Sequence, residues 1–253
     1  MMIIPGLVSV TFREKSADAV LKLCRQAELK GVEWSENVHV FPGDPKGAQR
    51  LYEMTAEEGL SVAAYGSYYR LGEQDNPEEV FCKSLESAAA LRAPLIRIWA
   101  GKKPSSEVGR EGFMRLCREA ALVAEIASAY HIKTAFEWHK DTLTDTNDSA
   151  LELLNAADHP NLYCLWQPTA ALSHKERLRG LDLLGERLLN LHMYYWVEGE
   201  KRPLKEGRAV WNQYLDHVDA AGCRYGLLEF VRNGSEEQFL EDARVLQEMI
   251  RGR

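Results

Sequence analysis

The chain lacks several features, and each absence removes a class of answer. It has no run of 18 apolar residues, so no membrane-spanning helix is expected. It has no excess of basic residues: 31 Lys and Arg stand against 38 Asp and Glu, for a formal net charge of −7. A nucleic-acid backbone is therefore not an expected partner, because such binding leans on clustered Lys and Arg. Its five cysteines (Cys24, Cys82, Cys117, Cys164, Cys223) are widely spaced and contain no C-x-x-C pair. Reduced thiols in a cytoplasmic protein follow from that usage. The N-terminal MMIIPGLVSVTF has no basic flank, and Pro5-Gly6 interrupts it, so it reads as a first strand rather than a signal peptide. No G-x-G-x-x-G turn follows that strand; Phe12-Arg13-Glu14-Lys15 stands there instead, against a doubly wound dinucleotide-binding sheet. There is no composition break, long linker or low-complexity run, which points to a single domain over residues 1–253.

What is present is a regular alternation. Short β-rich runs are expected at residues 6–12, 31–35, 60–66, 94–101, 132–138, 161–166, 188–196 and 225–231. Helical periods follow each one, near residues 17–30, 46–58, 77–91, 107–130, 149–157, 175–186, 210–221 and 236–250. In the last of these Phe239, Ala243, Leu246 and Ile250 repeat at 4, 3, 4 and give one apolar stripe. Strands joined by helical crossovers run parallel. Eight such units in a chain of this length suit an α/β (β/α)8 TIM barrel. Long irregular loops are expected after strands two, three and seven, the last over residues 197–208, all on the face where barrel active sites form.

Polar residues closing otherwise apolar strands carry the chemical signal. Glu137 ends strand five, Gln167 follows strand six, His192 lies in strand seven and Glu229 lies in strand eight. They stand 30, 25 and 37 residues apart, about one β/α unit each. Taken singly, each is as readily a structural residue. Four at the same relative place on four consecutive strands are better explained as a metal site, since two buried carboxylates side by side are costly without a cation. Carboxylate, amide and imidazole ligands suit one divalent metal, with Mn²⁺ foremost and Mg²⁺, Co²⁺ or Zn²⁺ as alternatives.

The segments AFEWH (135–139), LWQP (165–168), NLHMYYW (190–196) and LLEF (227–230) make the chain resemble the sugar isomerase/epimerase family of xylose-isomerase-like barrels, which includes ketose 3-epimerases and hydroxypyruvate isomerase. The resemblance covers nearly the whole chain. It implies that Glu137 and Glu229 both bind the metal and transfer protons. It also implies a small sugar substrate, a homodimer or homotetramer, and a substrate contact from Arg202. The family's strand-six ligand is usually Asp, and Gln167 stands in its place. The same fold group holds a three-zinc apurinic endonuclease, but Ala170 occupies the place of one zinc-binding His, and an Asp-x-His pair after His192 is missing.

Further substrate contacts are expected from His139, Trp99, Trp196, Tyr65 and Arg97, all at or near strand ends. The arginines Arg13, Arg70, Arg97 and Arg232 also gather there by topology, which raises an anionic substrate; pairing with loop carboxylates is the competing account. The expected reaction is a metal-assisted isomerisation or epimerisation through an enediolate. A dehydratase of a keto-polyol and a non-catalytic ligand-binding barrel are the alternatives.

Overall fold

The strand β2 (Gly31–Ser35) is buried at every position. A strand with no solvent face belongs in a parallel sheet covered by helices. The computed structural model, which describes residues 2–170, 172–218 and 222–251, places it in one. The other barrel strands are β1 (Met2–Val8), β3 (Ser61–Arg70), β4 (Leu95–Trp99), β5 (Lys133–Glu137), β6 (Leu162–Trp166), β7 (Leu188–Met193) and β10 (Cys223–Leu228). They close in the order β1-β10-β7-β6-β5-β4-β3-β2, every pair parallel.

Outside run α1 (Ala17–Gln26), α2 (Pro45–Glu57), α3 (Pro77–Ala90), α4 (Arg110–Ser128), α5 (Asn147–Ala157), α6 (His174–Leu184), α7 (Arg208–Asp216) and α8 (Glu236–Ile250). Ser16, Asp44, Asn76, Thr146, Ser173 and Ser235 each accept a backbone N–H at their helix start, which sets where the corresponding strand-to-helix loops end. The apolar faces of the helices and the outward faces of the strands form the main core, from Ile3 to Ile250. The barrel interior holds two small clusters, Val8, Val10, Ala63 and Leu227, and Ala64, Leu95, Ala135 and Leu165.

The eightfold alternation is thus as the sequence leads one to expect, with shifted element ends, which leave Glu229 just past its strand, and three larger differences. First, β1 begins at Met2, four residues early. Pro5 has no N–H, but the ladder needs only its carbonyl, which accepts from Lys30 N at 2.8 Å. Residues 9–12, expected as strand, form a 3-10 turn instead. Second, β3 runs on to Arg70 rather than stopping at Gly66. Third, the seventh strand stops at Met193, three residues early, and a hairpin, β8 (Tyr195–Val197) and β9 (Glu200–Arg202), paired antiparallel, spans its expected end and the loop expected over residues 197–208. Its two-residue turn, Glu198-Gly199, has φ of 50° and 84°. Positive φ at both positions matches the twist of a hairpin. Residues 219–221, expected to close the seventh helix, lie outside the described residues.

Among the described residues no helix is long and apolar enough to cross a membrane, and all five cysteines are free.

Beyond the hairpin, the chain is tied to α8 by Asp242, which accepts from Leu204 N at 2.8 Å and from Gln238 Nε2 at 3.0 Å. Burial pushes the Asp242 carboxyl from an ordinary 3.8 up to about 6. An acid with a folded pKa above its unfolded one favours the fold when protonated. Its contribution is complete below pH 4 and is lost as pH rises through 6. Asp242→Asn keeps the acceptor oxygen and removes the titration. Relative to this variant, the natural protein is expected to lose roughly 2–3 kcal/mol between pH 4 and pH 7 in urea unfolding. A pH-independent difference would refute the assignment.

Candidate active site

At the C-terminal mouth of the barrel Glu137, Gln167, His192 and Glu229 are all buried. One ligand atom from each of Glu137, His192 and Glu229 lies within 4.8 Å of the other two. His192 Nδ1 stands 3.7 Å from Glu137 Oε1 and 3.6 Å from Glu229 Oε2. Neither Nδ1 nor Glu229 Oε2 has a hydrogen-bond partner among the described residues. Gln167 Nε2 donates to Glu137 Oε1 at 2.9 Å and to the Trp138 carbonyl at 3.0 Å. Its amide oxygen is thereby left as the atom available to a ligand.

Two further residues complete the cluster. Glu33, in the middle of β2, is fully buried and its Oε2 accepts a hydrogen bond from His192 Nε2–H at 3.0 Å. That bond fixes the imidazole tautomer and presents Nδ1 to the two glutamates. Arg97, on β4, donates to Glu137 Oε2 at 2.6 Å and sits 3.6 Å from Glu33 Oε1. Gly66 makes this contact possible. A Cβ there would stand 2.8 Å from Glu33 Oε1 and 2.9 Å from Arg97 Nη2, so no larger residue fits beneath the pair. On the other side, Phe230 follows Glu229 with φ of 56°, and its N–H donates to Thr11 Oγ1 at 3.1 Å. A bulky residue held in that conformation is strained, and the turn it makes is what carries the chain away directly after Glu229.

The two carboxylates are driven apart electrostatically. Burial opposes charge on Glu137, but the Arg97 guanidinium and then His192 hold it down at about 2. Burial, reinforced by Glu137 and Glu33 against the pull of His192 and Arg97, pushes Glu229 up to about 7. Burial also works against a charged His192, yet Glu33 and Glu229 overcome it and raise its pKa. A metal must displace the proton on Nδ1. With His192 neutral, the three carboxylates face the one guanidinium of Arg97, a net of −2 that a divalent cation balances. The residues present therefore fit such an ion: an unpartnered imidazole nitrogen, an unpartnered carboxylate oxygen and a matching charge deficit.

A cavity of about 340 Å³ adjoins this cluster, lined among others by His139, Gln167, Arg177, Tyr194, Trp196 and Phe230. A second hollow of about 400 Å³ lies between the loops after β3 and β4, against Lys102, Glu107 and Arg115, and includes none of the cluster residues. His139 stacks on Trp99 with ring centroids 4.4 Å apart. Trp196, on β8, packs on Tyr194 and on Phe230.

Of the expected substrate contacts, His139 and Trp196 line the cavity, and Trp99 stands behind His139. Three others are placed differently. Tyr65 has no exposed surface, and its hydroxyl donates to Glu36 Oε2 at 3.0 Å. The longer β3 puts it inside the strand rather than at its end. Arg97 is consumed by Glu137 and Glu33. Arg202 is exposed on β9 and pairs with Glu206 at 2.9 Å, outside the cavity lining. Arg70 covers the Trp99 ring at 3.8 Å. Glu33, Arg177 and Tyr194 were not singled out from the sequence. Only Glu33 left a trace there, as a lone acid within a strand otherwise built for burial.

Comparison with known proteins follows the same lines. The family model of the xylose isomerase-like TIM barrel matches residues 21–249. A 3-dehydroshikimate dehydratase from Bacillus anthracis is 23% identical over 164 residues, covering 62% of this chain and 59% of that protein. The crystal structure of the probable 3-DHS dehydratase AsbF from Bacillus anthracis superposes with a TM-score of 0.81 at 18% identity, over 97% of this chain and 99% of that one. An L-ribulose 3-epimerase superposes with a TM-score of 0.71 at 15% identity, over 98% and 94%. The closed eight-stranded barrel, the buried acid–histidine cluster at its mouth and the match over most of the length lead to one assignment: the chain belongs to the xylose isomerase-like TIM barrel family.

Proposed function

We propose that the protein is a metal-dependent enzyme that moves protons at a carbon next to the carbonyl of a small polyhydroxylated substrate, as a sugar isomerase or epimerase. The observation that carries this reading is the pair of buried glutamates facing one imidazole nitrogen, one held down at about 2 and the other pushed up to about 7. Two carboxylates with separated pKa values are suited to act as base and acid. A divalent cation held by Glu137, Gln167, His192 and Glu229, Mn²⁺ foremost, would supply Lewis-acid polarisation of the substrate carbonyl.

The chain's own residues do the rest. Arg97 keeps Glu137 ionised and oriented, ready to accept a proton from carbon. The Glu229 carboxyl, pushed up to about 7, can carry the proton that is returned. Return to the same carbon from the opposite face gives an epimer; return to the neighbouring carbon gives an aldose–ketose isomer. His139, backed by Trp99, and Trp196 wall the cavity and limit water at the reacting carbon.

A second reading is favoured by the Bacillus anthracis relative and the higher TM-score of the dehydratase structure: removal of water from a keto-polyol. It begins with the same proton abstraction and differs in the fate of the neighbouring hydroxyl.

The test is deuterium exchange in D₂O with Mn²⁺ present, using a panel of ketoses and cyclic keto-polyols and reading products by mass spectrometry. Exchange with retained mass composition supports isomerase or epimerase chemistry. Loss of a water mass supports the dehydratase. No exchange with any member, despite bound metal, would turn the protein into a binding barrel.

A further inference from the structure

The cavity beside the glutamates has a second chemical pole. Gln167 and Tyr194 line it on the side of the glutamates, and Arg177, on α6, is part of the same lining. Arg177 is not held by a carboxylate among the described residues. Its Nε donates to the Thr169 carbonyl at 3.0 Å and its Nη1 to the Tyr214 hydroxyl at 3.5 Å. Both partners are neutral, and both line the same cavity. A guanidinium has five N–H groups. Two are used to aim it, and three remain. Lys140, on the loop after β5, also faces the cavity and has no carboxylate partner among the described residues. The single acid of the lining, Glu198, is exposed at the tip of the hairpin turn. Of the other arginines near the mouth, Arg97 is spent on Glu33 and Glu137, Arg202 on Glu206 and Arg70 over Trp99, and Arg13 and Arg232 do not line this cavity.

A cationic fork fixed by neutral groups is a recognition device rather than part of an ion pair, because its charge is uncompensated where a ligand would lie. We propose that Arg177, supported by Lys140, binds an anionic end, carboxylate or phosphate, of a polyhydroxylated substrate whose reacting carbon lies at Glu137 and Glu229. This rests on the reading that this cavity holds the substrate. The volume of about 340 Å³ accommodates a six- or seven-carbon acid or phosphate lying between the two poles. Tyr194 lines the same cavity. Its phenol O–H offers a hydrogen-bond donor to a hydroxyl along the chain of the substrate.

The experiment uses probes that bind without reacting, so that it does not depend on turnover. Isothermal titration of the Mn²⁺-loaded protein compares D-glucitol, D-gluconate and D-glucitol 6-phosphate, in the natural protein and in Arg177→Gln and Arg177→Lys. One anion is expected to bind about tenfold or more tighter than neutral glucitol, the scale of a charge-assisted hydrogen-bond pair. Whichever anion shows the advantage identifies the end group. Arg177→Gln is expected to abolish the advantage without weakening glucitol. Arg177→Lys is expected to lose most of it for the carboxylate, since the fork is gone although the charge remains. Equal binding of all three probes by the natural protein overturns the proposal, whether or not the variants fold. So does an advantage that survives both substitutions, which would place the anion on the metal instead. Absence of deuterium exchange would sink the proposed reaction but leave this result standing.

Discussion

Glu229→Gln is expected to stop deuterium exchange while making the metal-free protein harder to unfold. Loss of a positioned acid or base costs about 10²–10⁴-fold in rate. Glu137→Gln is expected to cost as much, and the double variant little more, because the pair works as a unit. The stability effect has the opposite sign. In the folded protein the Glu229 carboxyl titrates at about 7, against an ordinary value of 4.5. An acid raised in this way loses its favourable protonation as pH climbs from 4.5 through 7, so the ionised form destabilises the fold above neutrality. Gln is nearly isosteric and cannot ionise. At pH 8, with chelator present, the variant should therefore melt above the natural protein, and at pH 4 the gap should close. Thermal unfolding at the two pH values checks this. A variant that melts lower at both, or one that exchanges at the natural rate, would sink the assignment of Glu229 as an acid–base group under charge repulsion.

The second large effect concerns Glu33, which touches no substrate position and acts through its neighbours. Glu33→Ala leaves the buried Arg97 with one carboxylate instead of two and the His192 Nε2 proton with no acceptor. Breaking a buried charged network by removing one partner costs about 3–5 kcal/mol, and urea unfolding of the metal-free protein should show that loss. Glu33→Gln is the milder probe. Its amide oxygen can still accept from His192, while the charge facing Arg97 is gone. Its metal affinity is expected to fall about 10–100-fold, the range seen when an outer partner of a ligating histidine is changed. Titration with Mn²⁺ measures this directly, apart from any activity. If Glu33→Ala unfolds within about 1 kcal/mol of the natural protein, the network is not the keystone described above.

The fate of individual residues shows what a sequence can reveal. The four candidate ligands were legible because each interrupts an apolar strand at its C-terminal end, and barrel topology brings such ends together. Glu33 breaks the same rule, but it lies mid-strand, where no spacing argument points to a shared centre. Tyr65 was misplaced because β3 continues to Arg70, past the glycine that marked its expected end. Gly66 is there for close packing against Glu33 and Arg97, not for a turn. The hairpin was unreadable for a different reason. Its turn is Glu198-Gly199 rather than the usual Asn-Gly, and its strands are three residues each, too short for alternation to show. Arg97 and Arg177 illustrate the limit for charge. Topology puts both near the mouth, but only three-dimensional pairing decides that the first is committed to carboxylates and the second is not.

The hairpin also gives the molecule an optical property. Of its six tryptophans, Trp34, Trp138, Trp166 and Trp211 have less than 2% of their surface in contact with solvent, Trp99 is half-buried under Arg70, and Trp196 has 40%. The exposed indole therefore contributes most of the long-wavelength edge of the emission. It sits on β8 at the rim of the cavity, packed at a tilt against Tyr194 and Phe230, with the Lys201 ammonium 5.9 Å from its ring centroid. A molecule entering the cavity strips water from this ring while the buried indoles stay as they are. The protein thus carries its own fluorescent reporter of occupancy, sensitive to unlabelled compounds that are bound but never turned over.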